Sequence, residues 1–235
     1  MTQSVRRHAL DSIHAILNEG AYSNLEINDV LSSQDLSAVD KGLYTELVYG
    51  TIKRKFTLDY YLRPFVQTKI KGWVRQLLWM SIYQYVYLDK VPNHAIINEA
   101  VEIAKHRGGP HNGNIVNAIL RQIMRSDLPN VDDITDEKKR MSIAYSLPKW
   151  IVDHWVTHYG LAQTHRIGQA LLTPTETTVR ANIVKASIND IIDALEQDGY
   201  TVTKDSDILS CLHIQGRPVI AVSYTHLRAH ETGRN

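Results

Sequence analysis

The stretch Gly72-Trp73-Val74-Arg75-Gln76-Leu77-Leu78-Trp79-Met80-Ser81-Ile82-Tyr83-Gln84-Tyr85-Val86-Tyr87-Leu88 is apolar around nearly its whole circumference, and Gly72 and Asp89 bracket it. A surface helix would keep one polar face, so a helix of this kind is the buried centre of a bundle. The segments on either side supply its walls. Val5, Ala9, Ile13 and Ile16/Leu17 recur at helical spacing from Ser4 to Leu17, and Gly20 closes that helix. A short helix follows Ser23. A third starts behind a polar cap at Asp35 to Ser37, carries Val39, Leu43 and Leu47, and runs toward Arg54. Its continuation through Phe56, Leu58, Tyr60, Tyr61 and Leu62 must bend or end near Pro64.

Downstream, Pro92 opens a helix with Ile96, Ile97, Ala100, Val101 and Ala104, and a connector is expected over Gly108 to Gly113. Ile115, Val116, Ile119, Leu120, Ile123 and Met124 repeat the pattern. No strand-like alternation interrupts residues 1–126, so they read as an all-helical bundle with short connections. Pro129 to Asp136 is polar and acidic, and 127–146 is read as a linker. The grammar then changes. Leu147–Tyr159 and Leu161–Leu172 predict two helices, Thr177–Val184 a strand, Ser187 the cap of a helix ending at Gly199, and Tyr200–Thr203 and Leu212–Ile214 short strands. The expected fold class is therefore mainly α, with a small, incomplete α+β subdomain over 147–221.

The chain has 235 residues and a net charge of +1, which hides an asymmetry. Residues 1–126 hold 15 Lys and Arg against 11 Asp and Glu, whereas 127–221 hold 9 against 13. The basic excess sits in the bundle and points weakly to a polyanion. No apolar run approaches the roughly 18 residues of a membrane span, and no charged-then-apolar leader is present, so a cytoplasmic protein without a membrane partner is expected. One cysteine, Cys211, agrees with a reducing compartment and cannot by itself build a thiolate zinc site.

Several ordered motifs carry a resemblance: Leu47-Val48-Tyr49-Gly50-Thr51, Leu58-Asp59-Tyr60-Tyr61-Leu62, Tyr87-Leu88-Asp89-Lys90-Val91-Pro92-Asn93-His94-Ala95, Ile97-Asn98-Glu99-Ala100-Val101 and Val116-Asn117-Ala118-Ile119-Leu120-Arg121. Together they resemble the RsmB family of bacterial 16S rRNA cytosine-5-methyltransferases, in which a NusB-like RNA-binding domain precedes the methyltransferase part. Val179-Arg180-Ala181-Asn182 resembles the Arg-x-Asn strand that opens the catalytic part of that family. The resemblance implies 16S ribosomal RNA as partner and S-adenosylmethionine as cofactor of the full-length family, with none expected to be held by this segment. It extends to about residue 221. Val222 to Asn235 reads instead as translated sequencing adapter, a non-native tail, and an open strand edge with poor packing is expected from Arg217 onward. A cofactor-binding domain with two cysteines should follow in the family and is not recognised here, so the segment is expected to bind and position RNA without catalysing on its own.

Methylation at cytosine C5 needs a thiolate adding to C6. Cys211, in Ser210-Cys211-Leu212, has no preceding Pro and reads as a buried strand residue rather than that nucleophile. No catalytic, cofactor-binding or metal residues are assigned. His154 and His158 have a spacing that could offer two imidazoles to one ion, but no further ligand is recognisable beside them. His94 reads as a first-turn structural residue. The Gly108 to Gly113 segment lacks the Gly-Lys-Ser/Thr ending of a phosphate loop. Among Tyr83, Tyr85 and Tyr87, helical geometry makes most of the rings core rather than a stacking strip. The RNA-binding candidates are Lys53, Arg54, Lys55, Lys69, Lys71 and Arg75 around the bend before the central helix, with Arg6, Arg7, Lys105, Arg107, Arg121 and, in the later strand, Arg180. Irregular or single-stranded RNA suits them better than a duplex, whose deep groove side chains cannot read. Two other readings stay open: a NusB-like antitermination protein that binds RNA without chemistry, and a helical protein-interaction adaptor.

Overall fold

Helix α5 (Gly72–Tyr87) forms the centre of the N-terminal unit in the computed structural model, which describes residues 4–173 and 177–215 and the backbone of 227–229. Leu77, Leu78 and Ile82 of α5 are fully buried, and Val74, Met80 and Tyr83 nearly so. Each such aliphatic side chain contributes about 1.5–3 kcal/mol on leaving water. The walls are α1 (Val5–His14), α2 (Ser23–Ser33), α3 (Ala38–Lys53), α4 (Lys55–Leu62), α6 (Asn93–Gly108) and α7 (Pro110–Ile123). Leu10 and Ile13 of α1, Leu47 and Val48 of α3, Leu58 and Leu62 of α4, Ala104 of α6 and Leu120 of α7 close one core with α5. The all-helical bundle expected for residues 1–126 is present. Its third helix breaks at Arg54, ten residues before Pro64, which instead sits in a 3-10 turn over Arg63–Phe65.

The stretch from Gly108 to Gly113 is not the flexible connector the sequence suggested. Only Gly109 leaves helical geometry, with φ 82, and Pro110 starts α7 at once. A positive φ at glycine followed by a ring that presets φ for a first helical turn makes a corner without a loop. Gly108 and Gly113 let α6 and α7 approach closely: a methyl group on the first would meet Trp73 and Asn112, and on the second Lys105.

Residues 127–146, read as a linker, carry a 3-10 turn at Val131–Asp133 and helix α8 (Glu137–Ala144), capped by the Asp136 carboxylate accepting from Lys139 N–H at 3.1 Å. Helix α8 packs on α4, which a run judged by polarity alone does not reveal. The Phe56 N–H of α4 donates to Ser146 Oγ at 2.9 Å, and Thr57 Oγ1 donates to the Ile143 carbonyl of α8. Helix α9 (Lys149–Leu172) is broken at Gly160 (φ 75, ψ 168), in keeping with two helices expected there. Compact packing thus extends through Leu172, and the second unit starts at Thr173.

In that second unit β1 (Thr177–Ala181), β2 (Thr201–Lys204), β3 (Cys211–Gln215) and the backbone of β4 (Leu227–Ala229) form an antiparallel sheet of order β2-β3-β1-β4. Helix α10 (Ile188–Gln197) starts at Ser187, whose hydroxyl accepts from Asp190 N–H at 3.2 Å. Val179, Ala181, Ile191, Leu195, Val202, Leu212 and Ile214 form a second core. The expectations for Arg217 and, apart from β4, for the tail at 222–235 lie outside the described residues.

Candidate nucleic-acid interface

Helix α4 lies along α5, with Asp59 facing Arg75 and Trp79, Lys55 facing Trp79, and Arg54 facing Tyr87. The break at Arg54 therefore delivers the basic triplet to the end of α5. The Arg54 guanidinium stands 4.6 Å from the centre of the Tyr87 ring, and Lys55 Nζ stands 5.8 Å from Trp79 and 5.7 Å from Phe56. Tyr87 itself stacks obliquely on buried Tyr83, ring centres 5.2 Å apart. Cations held over aromatic faces, with exposed Lys53 alongside, provide both charge and a stacking platform. Tyr87 is the one ring of the tyrosine series that carries an arginine, a role its helical spacing did not disclose.

A cleft of about 310 Å³ between α4 and α8 adjoins this triplet. Phe56, Tyr60, Arg63, Lys139 and Lys149 line it, together with Asp59 and Asp136. Sequence reasoning missed Arg63, which directly follows α4, and Lys139 of α8 and Lys149 of α9, which only tertiary packing brings beside Phe56. Lys149 is engaged by Asp153 at 2.6 Å, which holds the lysine above and the aspartate below their ordinary pKa values.

The remaining candidates divide by what already holds them. Arg75 pairs with Asp59 at 2.7 Å, Lys105 with Glu102 at 2.8 Å, and Arg107 with Asp11 while lying 5.6 Å from the Trp73 ring centre. Arg6 Nε donates to the buried Gln84 side chain at 2.7 Å, and Arg7 meets His106 at 3.0 Å. Apart from Lys105–Glu102, which lies within α6, these contacts fasten α1, α4 and α6 to the bundle. Lys69 and Lys71 are exposed, with no ion pair among the described residues, in the segment entering α5. Arg121 is exposed on α7 beside Asn117. Trp73 and Tyr87 are separated by roughly 21 Å along a helix rising 1.5 Å per residue, so the basic groups do not form one tight cluster. Arg180 is exposed on β1, in the second unit.

Cys211 is half-buried on β3 rather than fully buried. It lies with Asp205 and His213 in a group whose donor atoms are all within 4.8 Å of one another, a juxtaposition that the spacing Asp-x5-Cys-x-His signals only once a hairpin is drawn through it. His154 and His158 stack at 4.1 Å, and His158 Nδ1 donates to the His154 carbonyl at 2.7 Å. His94 is exposed in the first turn of α6.

Residues 3–125 match the NusB family, and residues 147–220 match the ferredoxin-like domain of RsmF/B-like methyltransferases. A probable ribosomal RNA small subunit methyltransferase B of Bacillus subtilis is 42% identical over 203 residues, covering 86% of this chain and 45% of the relative. Its counterpart in Synechocystis is 27% identical over 217 residues, covering 91% and 49%. A transcription antitermination protein NusB of Xanthomonas axonopodis is 29% identical over 118 residues, covering 49% of this chain and 74% of the relative. The chain thus spans about half the length of the methyltransferase relatives it matches. The solved structure "Crystal Structure of PH0851" superposes with a TM-score of 0.69 at 18% identity over 97% of this chain and 53% of that one, a likeness of fold. No helix among the described residues is long and apolar enough to cross a membrane.

Proposed function

This chain belongs to the NusB family, and from that premise we propose that it binds and positions 16S ribosomal RNA as the leading part of a cytosine-5 methyltransferase. The carrying observation is that a NusB match over 3–125 is followed in one chain by an RsmF/B-like ferredoxin match over 147–220. The methyltransferase relatives align across both regions, whereas the antitermination relative accounts only for about the first half. In this reading Lys53, Arg54 and Lys55, with Phe56 and Tyr87, form the principal RNA contact, and Lys69, Lys71 and Arg121 extend it.

S-adenosylmethionine enters as methyl donor of the whole protein. The described residues do not fit it: all pairings in the sheet are antiparallel, and the turn from β1 to α10, Asn182 to Ser187, contains no glycine to admit a nucleotide. The work of these residues is to hold RNA: the cations neutralise phosphates while the ring faces accept unstacked bases.

The test is titration of the purified chain with unmodified 16S rRNA segments, equal-length unrelated RNA and a graded salt series. Saturable binding that prefers a 16S segment and weakens with salt is expected. Equal affinity for unrelated RNA would remove the 16S assignment, and absence of binding at low salt would remove RNA altogether. Selective binding to an antitermination transcript instead would favour the Xanthomonas-like role.

A further inference from the structure

Strand β2 turns back into β3 through a short hairpin whose neck is closed by the Asp205 N–H donating to the Cys211 carbonyl at 3.1 Å. Alternation along β3 sends Leu212 and Ile214 into the core under α10, and Cys211 and His213 to the opposite face of the sheet. Asp205 is fixed from below: its Oδ1 accepts from the backbone N–H groups of Asp207 and Ile208 at 2.9 and 2.8 Å. Its second oxygen, Oδ2, stands 2.8 Å from His213 Nε2. A sulfur, an imidazole nitrogen and a carboxylate oxygen thus converge within 4.8 Å, on a scaffold of two paired strands.

We propose that Asp205, Cys211 and His213 form a binding site for one zinc-class divalent cation. The donor set matches a borderline-soft ion, which takes thiolate, imidazole and carboxylate together, whereas magnesium and calcium select oxygen alone. Metal–ligand bonds of about 2.0–2.3 Å place neighbouring corners of a tetrahedron roughly 3.3–3.8 Å apart, between the 2.8 Å of the His213–Asp205 contact and the 4.8 Å that bounds all three donor pairs. Thiolate and carboxylate balance the double positive charge. On binding, the Cys211 thiol proton leaves to solvent and the imidazole proton resides on Nδ1, freeing Nε2 as ligand. Water fills the fourth corner. Arg180 stands opposite Cys211 in the β1–β3 register and is exposed. Lys204 is turned away to Asn189 on α10, 2.9 Å from its amide oxygen. The ion would clip the hairpin neck, the point where strand pairing gives way to the Ser206–Ser210 turn.

Because Cys211 is the single cysteine of the chain, a thiolate-to-metal absorption band reports on this site and no other. The purified full chain is titrated with cobalt(II), reading the near-ultraviolet thiolate band and the visible bands of tetrahedral cobalt, then back-titrated with zinc. The expected result is saturation at one ion per chain, bleaching by zinc, and zinc protection of Cys211 from alkylation. Cys211→Ser should lose the ultraviolet band, and His213→Ala and Asp205→Asn should each weaken binding by roughly tenfold or more. His154→Ala should change nothing, and far-ultraviolet circular dichroism checks that each variant keeps its fold. The proposal is overturned if the wild-type chain gives no thiolate band, if one ion is shared by two chains, or if the band survives unchanged in folded His213→Ala and Asp205→Asn.

Discussion

The Tyr44 phenol ties three helices together: its hydroxyl meets Ser12 Oγ of α1 at 2.8 Å, and Ser12 donates in turn to Glu26 Oε1 of α2 at 2.8 Å. Burial is the main force on it, pushing its pKa from 10.0 up to about 12; the Ser12 hydrogen bond lowers it in part, and the Glu26 charge adds to the rise. A folded-state pKa above the unfolded one means the contribution is complete below pH 10.0 and is lost as pH climbs toward about 12. The size is about 2–3 kcal/mol at the alkaline end. Urea midpoints measured across that window should therefore fall more steeply for the wild type than for Tyr44→Phe, which itself loses about 1 kcal/mol at neutral pH. Parallel slopes would show that Tyr44 is not the titrating group. The Tyr83 phenol, raised by burial and by its hydrogen bond to Glu46, supplies a background common to both proteins. Residues of this kind explain what the motifs record. In Leu47-Val48-Tyr49-Gly50-Thr51, all but Tyr49 are buried, and a methyl group on Gly50 would run into the Tyr83 ring. The family resemblance is thus written mostly in packing.

Helices whose apolar positions repeat regularly were legible before any coordinates, since the period of the pattern is the period of the element. Helix α7 shows this best: Ile115, Val116, Ile119, Leu120 and Ile123 recur at helical spacing in the sequence, and the helix spans Pro110–Ile123 in space. Helix α8 was not legible, because Glu137-Lys138-Lys139-Arg140 opens it and only Met141 is fully buried. Its position depends on tertiary capping that periodicity cannot register. Helix α4 has no side-chain cap of its own, and Ser146 supplies one from beyond α8 while holding a left-handed φ of 54. Two opposing costs follow for substitutions there. Ser146→Ala loses the cap and keeps the strained backbone, for a loss of about 1–2 kcal/mol. Ser146→Gly loses the same cap but removes the steric cost of φ 54, so it should be the more stable of the two by about 1 kcal/mol. Thermal denaturation of both variants checks this order, and an alanine variant as stable as the glycine one would mean the backbone there is not held left-handed. The same docking creates the cleft beside Phe56, which explains why Lys139 escaped a reading based on neighbours in sequence.

Over the whole molecule, internal pairs leave the surplus of 15 basic against 11 acidic residues in the first 126 unchanged, since each removes one charge of either sign, but they take Arg75, Lys105 and Arg107 out of the set of unpaired cations. Among the remaining cations of the bundle two groups are contiguous, Lys53-Arg54-Lys55 near the end of α5 and Lys69 with Lys71 before its start. Polyelectrolyte theory separates their contributions. Each phosphate neutralised on a single strand adds about 0.7 to the slope of log affinity against log salt. Arg54→Gln with Lys55→Gln should lower both the affinity at low salt and the magnitude of that slope, by about 0.7 for each phosphate no longer neutralised, and converge on the wild type at high salt. Lys69→Gln with Lys71→Gln tests the second place in the same way, and a smaller change in slope is expected because no aromatic platform accompanies it. Arg54→Lys divides charge from stacking: the cation persists but its planar hold on Tyr87 does not. That variant should keep the wild-type slope while binding about 0.5–1 kcal/mol more weakly at every salt concentration. If Arg54→Lys matched the wild type throughout, Tyr87 would be a structural neighbour of the arginine and the interface would rest on charge alone; if neither double variant moved the slope, the RNA would lie on another face of the bundle.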